Sequence, residues 1–171
     1  MRLRFHLLAG LLLGSCGVAL AQSAPSVSPD GAFEVRVKPA PPALEIYSKD
    51  GGTAVLDDQL TGSQSTQILW SADSRYAIAF VQFGRATGIS VAYSPDRKTW
   101  KIVHGPEVKA QIAFMGPRVN DVQCEHHVPA EWIDSHRLGM RYSVMNRDGT
   151  KAEYSYALVF DGDVIRAVDW K

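Results

Sequence analysis

Three short polar turns, each followed by an apolar run, constrain the fold of this chain more than any other feature. They lie at residues 28–33, 70–76 and 132–138, and each contains an Asp followed by an aromatic residue or a Leu. In such a turn the Asp carboxylate accepts hydrogen bonds from nearby backbone N–H groups, and the apolar residue begins a strand. The recurrence predicts a protein built from similar antiparallel β units, and it identifies no reaction.

The apolar pattern between the turns is that of strands. Residues 33–37 alternate apolar and charged side chains, as in a strand with one buried face. Residues 75–82 are almost continuously apolar, which predicts a central strand covered on both faces. No segment has a sustained helical period with capping residues, so we expect little or no helix.

Turn residues divide the rest of the chain into hairpins. Residues 94–98 and 146–150 are predicted hairpin loops, with Gly149 where a positive φ is needed, and 161–163 form the last turn. The other predicted strands are 44–47, 88–93, 99–103, 108–115, 137–145, 152–160 and 164–168. About a dozen short strands predict an all-β, antiparallel fold in a single domain.

The N-terminus has the form of a bacterial secretory signal. Arg2 and Arg4 precede an apolar stretch, and Ala19-Leu20-Ala21 fits signal peptidase, so we expect a signal peptide at 1–21 and a periplasmic location. The apolar stretch is shorter than the roughly 20 residues that span a bilayer. An alternative is lipidation at Cys16 within Leu-Gly-Ser-Cys, which would anchor the chain to the membrane. Residues 22–29 are predicted to be a flexible lead-in to a domain at 30–171.

Charge and cysteine content argue against nucleic-acid binding and against an internal disulfide. Without Arg2 and Arg4, 16 of the 18 basic residues remain against 18 acidic ones, with no basic cluster that favours nucleic acid. Cys124 is then the single thiol after the signal peptide, so no internal disulfide is expected.

Residues 28–31 and 70–79 resemble the WD40-like blades of TolB-type periplasmic β-propellers. Ser28 and Ser71 are 43 positions apart, near the length of one blade, whereas the third turn is displaced by an apparent insertion at 104–131. Three units are too few for a ring, which usually needs at least about 4 blades. The resemblance implies about three propeller-like sheets in an open stack, or a distorted sandwich, whose edges need covering or a partner.

Sequence motifs for catalysis are missing. The chain contains no nucleophile elbow, zinc-protease helix motif, phosphate-binding loop or dinucleotide fingerprint. Residues 84–88 are Gly-rich but are followed by a predicted strand, so we interpret them as a hairpin loop. Phe83 and Arg85 in this loop are candidate contacts for a partner, because aromatic residues and Arg are common interface anchors.

The segment 124–127, Cys-Glu-His-His, is the one place with metal-like chemistry. In a strand, Cys124 and His126 share one face, so they form at most half of a zinc or copper site unless His104 or His136 is near. The other interpretation, which we favour, is a strand with a buried Cys and two partly exposed imidazoles. We therefore predict no metal, no other cofactor and no catalytic residue.

Two other groups are interpreted as structural. Trp70 and Trp132 stand at the turns and are expected to pack between sheets, with Trp100 half exposed. Asp57 and Asp58 are adjacent and are expected to form a solvated turn.

These observations favour an exported binding or inhibitor protein over an enzyme. In size, export and architecture the chain is similar to immunity proteins that neutralise peptidoglycan-cleaving amidases of the type VI secretion system. The loops at 83–88 and 116–127 are the candidate plug, and the contact residues are Phe83, Gly84, Arg85, Thr87, Asn120, Asp121, Glu125 and His127. The alternatives are a metal- or Cys-dependent envelope enzyme and a structural envelope lipoprotein.

Overall fold

Twelve β-strands form three antiparallel sheets in the computed structural model of the chain, which describes residues 26–104, 107–108 and 121–171. No sheet in this part of the chain closes into a ring. Helical residues within it are confined to Glu107 and Val108. The predicted fold class, an antiparallel all-β protein of three propeller-like units, is confirmed.

Each sheet contains four strands that are consecutive in the chain and adjacent in space. The first sheet contains β1 (Ser26–Val27), β2 (Phe33–Pro39), β3 (Pro42–Ser48) and β4 (Thr53–Asp57). The second contains β5 (Ser65–Trp70), β6 (Tyr76–Gln82), β7 (Thr87–Tyr93) and β8 (Lys101–Val103). The third contains β9 (Val122–Asp134), β10 (Arg137–Asn146), β11 (Lys151–Asp161) and β12 (Val164–Val168).

The second sheet lies between the other two and is covered on both faces. In β6, every residue from Tyr76 to Val81 is buried, as its continuous apolar run predicts. Tyr76, Ile78 and Phe80 pack towards the third sheet. The small residues Ala77 and Ala79 pack towards the first. The stack therefore contains two hydrophobic cores that share one sheet.

The first polar turn is held by its own side chains. Ser28 Oγ accepts the N–H of Phe33 at 3.0 Å and donates to Asp30 Oδ1 at 2.6 Å. Asp30 Oδ1 also accepts the N–H of Ala32 at 2.9 Å. Gly31 has φ of +67°, a backbone conformation that suits glycine.

The second turn repeats the first, and the third is shorter. Ser71 Oγ accepts the N–H of Tyr76 at 3.0 Å and donates to Asp73 Oδ1 at 2.6 Å. In the third turn only two residues separate β9 from β10, and Asp134 Oδ1 accepts the N–H of His136 at 2.8 Å. Each turn joins the first and second strands of its sheet, so the recurrence in sequence marks the same position in three similar sheets.

All three turns lie at one end of the stack, which we call the turn end (residues 28–32, 71–75 and 135–136). The sheets are joined there by polar contacts. The N–H of Asp30 donates to Ser74 Oγ at 3.3 Å, and Arg97 forms an ion pair with the Asp30 carboxylate. The N–H of Gly162 donates to the Tyr76 hydroxyl at 3.2 Å.

Some boundaries differ from the sequence-based expectations. The segment 122–131, expected to belong to an insertion, is part of the long strand β9, and Ser26–Val27 of the expected lead-in form β1. Val108, expected to begin a strand, is helical. The rest of that strand (109–115), the signal peptide at 1–21 and Cys16 lie outside the described residues.

The aromatic residues pack largely as expected. Trp70 is 9% exposed and stacks with Phe33 at 6.3 Å between ring centroids. Trp100 is half-buried and meets Phe33 edge-on at 5.1 Å, and Trp132 lies against Phe160 at 5.7 Å.

Candidate functional site

The β6–β7 loop meets the beginning of β9 at the end of the stack opposite the turn end. Arg85 O in this loop accepts the N–H of Glu125 at 2.9 Å. Because β9 is the edge strand of its sheet, one row of its backbone groups is not used by β10. The loop therefore covers part of an exposed sheet edge. We call this region, residues 82–87 and 121–127, the loop end.

A chain of side-chain hydrogen bonds fixes the base of the loop to β9. The N–H of His127 donates to Thr87 Oγ1 at 3.3 Å, and Thr87 Oγ1 donates to Gln82 Oε1 at 3.2 Å. Gln82 Nε2 lies 3.0 Å from Phe83 O and 2.6 Å from His126 Nδ1. Both ends of the Gln82 amide are thus engaged.

The tip of the loop is exposed although its base is fixed. Gly84 and Arg85 are exposed, and no side chain among the described residues bonds the Arg85 guanidinium. Phe83 is half-buried against the core between the first two sheets, and its N–H donates to Ala86 O at 2.8 Å. The loop therefore presents an Arg on a backbone with little freedom to rearrange.

His127 lies in the core, which corrects the expectation of a partly exposed imidazole. Only 8% of it is exposed, because it faces Tyr142 of β10. Its ring stacks on Tyr142 with 4.5 Å between centroids, and its Nδ1 lies 2.8 Å from the Tyr156 hydroxyl. Its backbone N–H reaches the loop, where it donates to Thr87 Oγ1.

Glu125 lies on the same face of β9 as His127, as the strand alternation predicts. Its carboxylate accepts a hydrogen bond from the Tyr142 hydroxyl at 3.3 Å. Burial, assisted by the Glu125 charge, raises the pKa of Tyr142 to about 12. Burial also raises the pKa of Tyr156. These hydroxyls stay protonated at neutral pH and act as hydrogen-bonding groups.

The remaining predicted contact residues are Asp121 and Asn120. Asp121 is exposed, its carboxylate lies 3.3 Å from Arg147 Nε, and its O accepts the N–H of Arg147 at 3.0 Å. It is therefore held against the β10–β11 hairpin. Asn120 lies outside the described residues.

Cys124 and His126 share the other face of β9, opposite Met145 and Ser143 of β10. Cys124 is half-exposed, not buried as expected. Within the described part of the chain, no group of three His, Cys, Asp or Glu side chains is placed to hold a metal ion.

The two imidazoles considered as further ligands lie elsewhere. His136 is at the turn end beside Ser135, with its ring 5.9 Å from that of Tyr76. His104 is exposed after β8. Cys124 and His126 therefore remain a pair of residues without a third ligand in the described part of the chain.

Sequence reasoning missed two polar residues that organise this half of the molecule. Gln82 ends an apolar strand. This position in the sequence indicates where the strand ends, but it does not indicate the hydrogen bonds of the Gln82 side chain. Asp57 was expected in a solvated turn, yet it is buried and accepts Ser90 O–H at 2.7 Å and the N–H of Gln59 at 2.7 Å. A buried carboxylate between two sheets cannot be recognised from its neighbours in sequence.

The described residues contain no helix long and apolar enough to cross a membrane. Comparison of the sequence with protein-family models and with curated proteins found no match.

Proposed function

We propose that the chain is an exported, non-catalytic binding protein whose loop end enters a cleft of another protein. The observation that carries this proposal is the β6–β7 loop, exposed at Gly84 and Arg85 and fixed at its base to β9. The N-terminal signal pattern supports export to the periplasm.

A loop fixed in this way suits insertion into a cleft. Binding is weakened when a flexible loop must become ordered, so a loop already held by hydrogen bonds loses less conformational entropy. A protruding loop on a rigid β-scaffold is also a common position for binding residues.

Arg85 determines the chemistry of the partner that we propose. A guanidinium forms two parallel hydrogen bonds with a carboxylate, and such pairs give geometric specificity as well as affinity. The proposed partner therefore has a cleft lined by at least one carboxylate. A peptidoglycan-cleaving amidase is the class we propose, by similarity to the immunity proteins that block such enzymes.

The test uses the peptidoglycan-cleaving amidase that is encoded nearest to the gene for this chain. Its activity on peptidoglycan is measured with increasing amounts of the full mature chain and of an Arg85→Glu variant. The matched control is Lys98→Glu, an equal charge change on an exposed residue of the β7–β8 turn. We expect inhibition by the wild type and by the control, and affinity at least about tenfold weaker for Arg85→Glu, since hot-spot residues contribute more than about 1–2 kcal/mol.

Two results would contradict the proposal. One is the absence of binding and inhibition with the wild-type chain. The other is equal inhibition by the Arg85→Glu variant and the wild type. Thermal unfolding of each variant shows whether it is folded, and we expect no change because Arg85 is exposed.

A further inference from the structure

The hydrogen bonds around Gln82 determine which atoms donate and which accept. Phe83 O can only accept, so the Gln82 atom 3.0 Å away must be the amide nitrogen. The same orientation leaves Oε1 to accept from the Thr87 hydroxyl, which itself accepts the N–H of His127. The amide orientation is thus fixed by the Phe83 carbonyl, independently of His126, and the Thr87 hydroxyl is compatible with it.

It follows that His126 Nδ1 is an acceptor. Gln82 Nε2 has two hydrogen atoms, and after one is donated to Phe83 O the other points to His126 Nδ1 at 2.6 Å. A nitrogen that accepts carries no proton, so the bond requires a neutral imidazole with its proton on Nε2.

If His126 became an imidazolium, its Nδ1–H would point at the N–H of Gln82, so two donors would face each other. Reversing the amide would relieve that conflict but would place Oε1 against the Phe83 carbonyl, another acceptor. No orientation of the Gln82 amide serves both neighbours, so protonation of His126 breaks this contact.

We propose that the Gln82–His126 hydrogen bond is a pH-sensitive latch that holds the β6–β7 loop against β9 and opens in mild acid. Its role in partner binding rests on the proposed function, whereas the latch itself is a property of the chain alone. Imidazole groups commonly change charge between about pH 5 and about pH 8, whereas Gln and Thr do not titrate.

Among the described residues, the charged groups on the face of His126 follow from the strand register. On its own face of β9 the nearest titratable side chain is Cys124. Across the sheet it lies opposite Ser143 of β10, followed by Glu153 of β11, with Arg141 of β10 next to Ser143 on the same face. From the loop, the nearest charged residue in sequence is Arg85.

The first experiment is hydrogen exchange of the backbone N–H groups of Glu125 and His127, both of which donate to the loop. We expect their protection factors in the wild-type chain to fall about tenfold between about pH 7.5 and about pH 5, the effect of losing one hydrogen bond. The N–H of Tyr76, bonded to Ser71 Oγ at the turn end, should keep its protection.

The matched variants are His126→Gln and His136→Gln. Glutamine at 126 offers an uncharged acceptor, so the protection of both N–H groups should no longer depend on pH. The His136 variant, at the turn end, should behave as the wild type. If the dependence persists in His126→Gln, the buried His127 or another group is responsible and the latch is wrong.

A second measurement determines the protonation state of the His126 imidazole. Nitrogen chemical shifts of His126 at about pH 7.5 should show an unprotonated Nδ1. A protonated Nδ1 at that pH would overturn the proposal whatever the exchange data show. Neither measurement uses a partner, so failure of the latch and failure of the proposed binding function are separate results.

Discussion

The two ends of the stack differ in the hydrogen bonds that hold their loops in place. At the turn end the bonds that shape the polar turns are local and repeated, as in Ser28 with Asp30 and Ser71 with Asp73, each two residues apart. At the loop end the bond that holds the β6–β7 loop against β9 is non-local and occurs once, between Arg85 and Glu125, which are 40 positions apart. The repeated unit therefore supplies the scaffold, and the contacts that occur once supply what is specific to this molecule.

The two ends also differ in how deeply the polar bonds between neighbouring sheets are buried. Asp57 at the end of β4 reaches Ser90 of β7, and these residues are 7% and 1% exposed. The turn end instead joins the first two sheets by partly exposed contacts of Asp30 with Ser74 and Arg97. Loss of a single bond should therefore matter more where the bond is buried and unique.

The largest effect is expected from Asp57→Ala. It removes a buried acceptor of two hydrogen bonds and leaves the Ser90 hydroxyl without a partner, which should lower the free energy of unfolding by about 3 kcal/mol. Urea denaturation measures this value. Asp57→Asn is the control, since it keeps the size and one acceptor oxygen, and it should lose less. Equal loss in both variants would show that the charge, not the hydrogen bonds, matters.

The next effect tests the turn end. Ser71→Ala leaves the buried N–H of Tyr76 without its acceptor, so we expect a loss of about 2 kcal/mol in urea denaturation. Ser135→Ala in the shorter third turn should change stability by less than about 0.5 kcal/mol, because the one side-chain hydrogen bond of Ser135 within the described residues is to the exposed His136. A similar loss in both would mean that the three turns contribute alike despite their different geometry.

A smaller effect is expected from Thr87→Val at the loop end. This substitution preserves shape but removes the acceptor of the His127 N–H and the donor to Gln82, with an expected loss of about 1 kcal/mol. Hydrogen exchange should locate the loss at His127 and leave Tyr76 protected. Thr99→Val at the turn end is the matched control. If Thr87→Val lowered the protection of both His127 and Tyr76 against hydrogen exchange, the two ends would not be independent.

Much of the fold was predictable because it depends on local chemistry. The Ser-x-Asp turns fix strand starts through bonds within a few residues, and the apolar run of β6 requires cover on both faces. Three such turns predict three sheets, too few to close a ring. These features need only neighbouring residues, which a sequence displays directly.

The site was less predictable because its bonds join distant residues. The alternation along β9 placed Glu125 and His127 on one face, yet it could not say that this face was the core. Gln82 and Thr87 meet His126 and His127 only because the second sheet stacks on the third. A buried carboxylate such as Asp57 is hidden from sequence for the same reason.

The smallest effect on stability is expected from two exposed carboxylates in similar turns at opposite ends of the stack. Asp96 at the turn end accepts the N–H groups of Thr99 and Lys98, which lowers its pKa from 3.8 to about 2. Asp148, in the β10–β11 hairpin beside the loop end, accepts the hydroxyl and the N–H of Thr150, which also lowers its pKa. A lowered carboxyl pKa stabilises the folded state above the unfolded value near 3.8, and this contribution is lost as the pH falls through the folded value.

We therefore expect Asp96→Asn to be less stable than the wild type at about pH 5, with the difference shrinking as the pH falls towards about 2. Asp148→Asn should show the same trend with a smaller difference, because fewer N–H groups face its carboxylate. Urea denaturation at about pH 5, 3 and 2 measures both variants against the wild type. A difference that stays constant across this range would show that the side-chain amide disturbs the turn itself, and that the carboxylate charge does not stabilise the turn end.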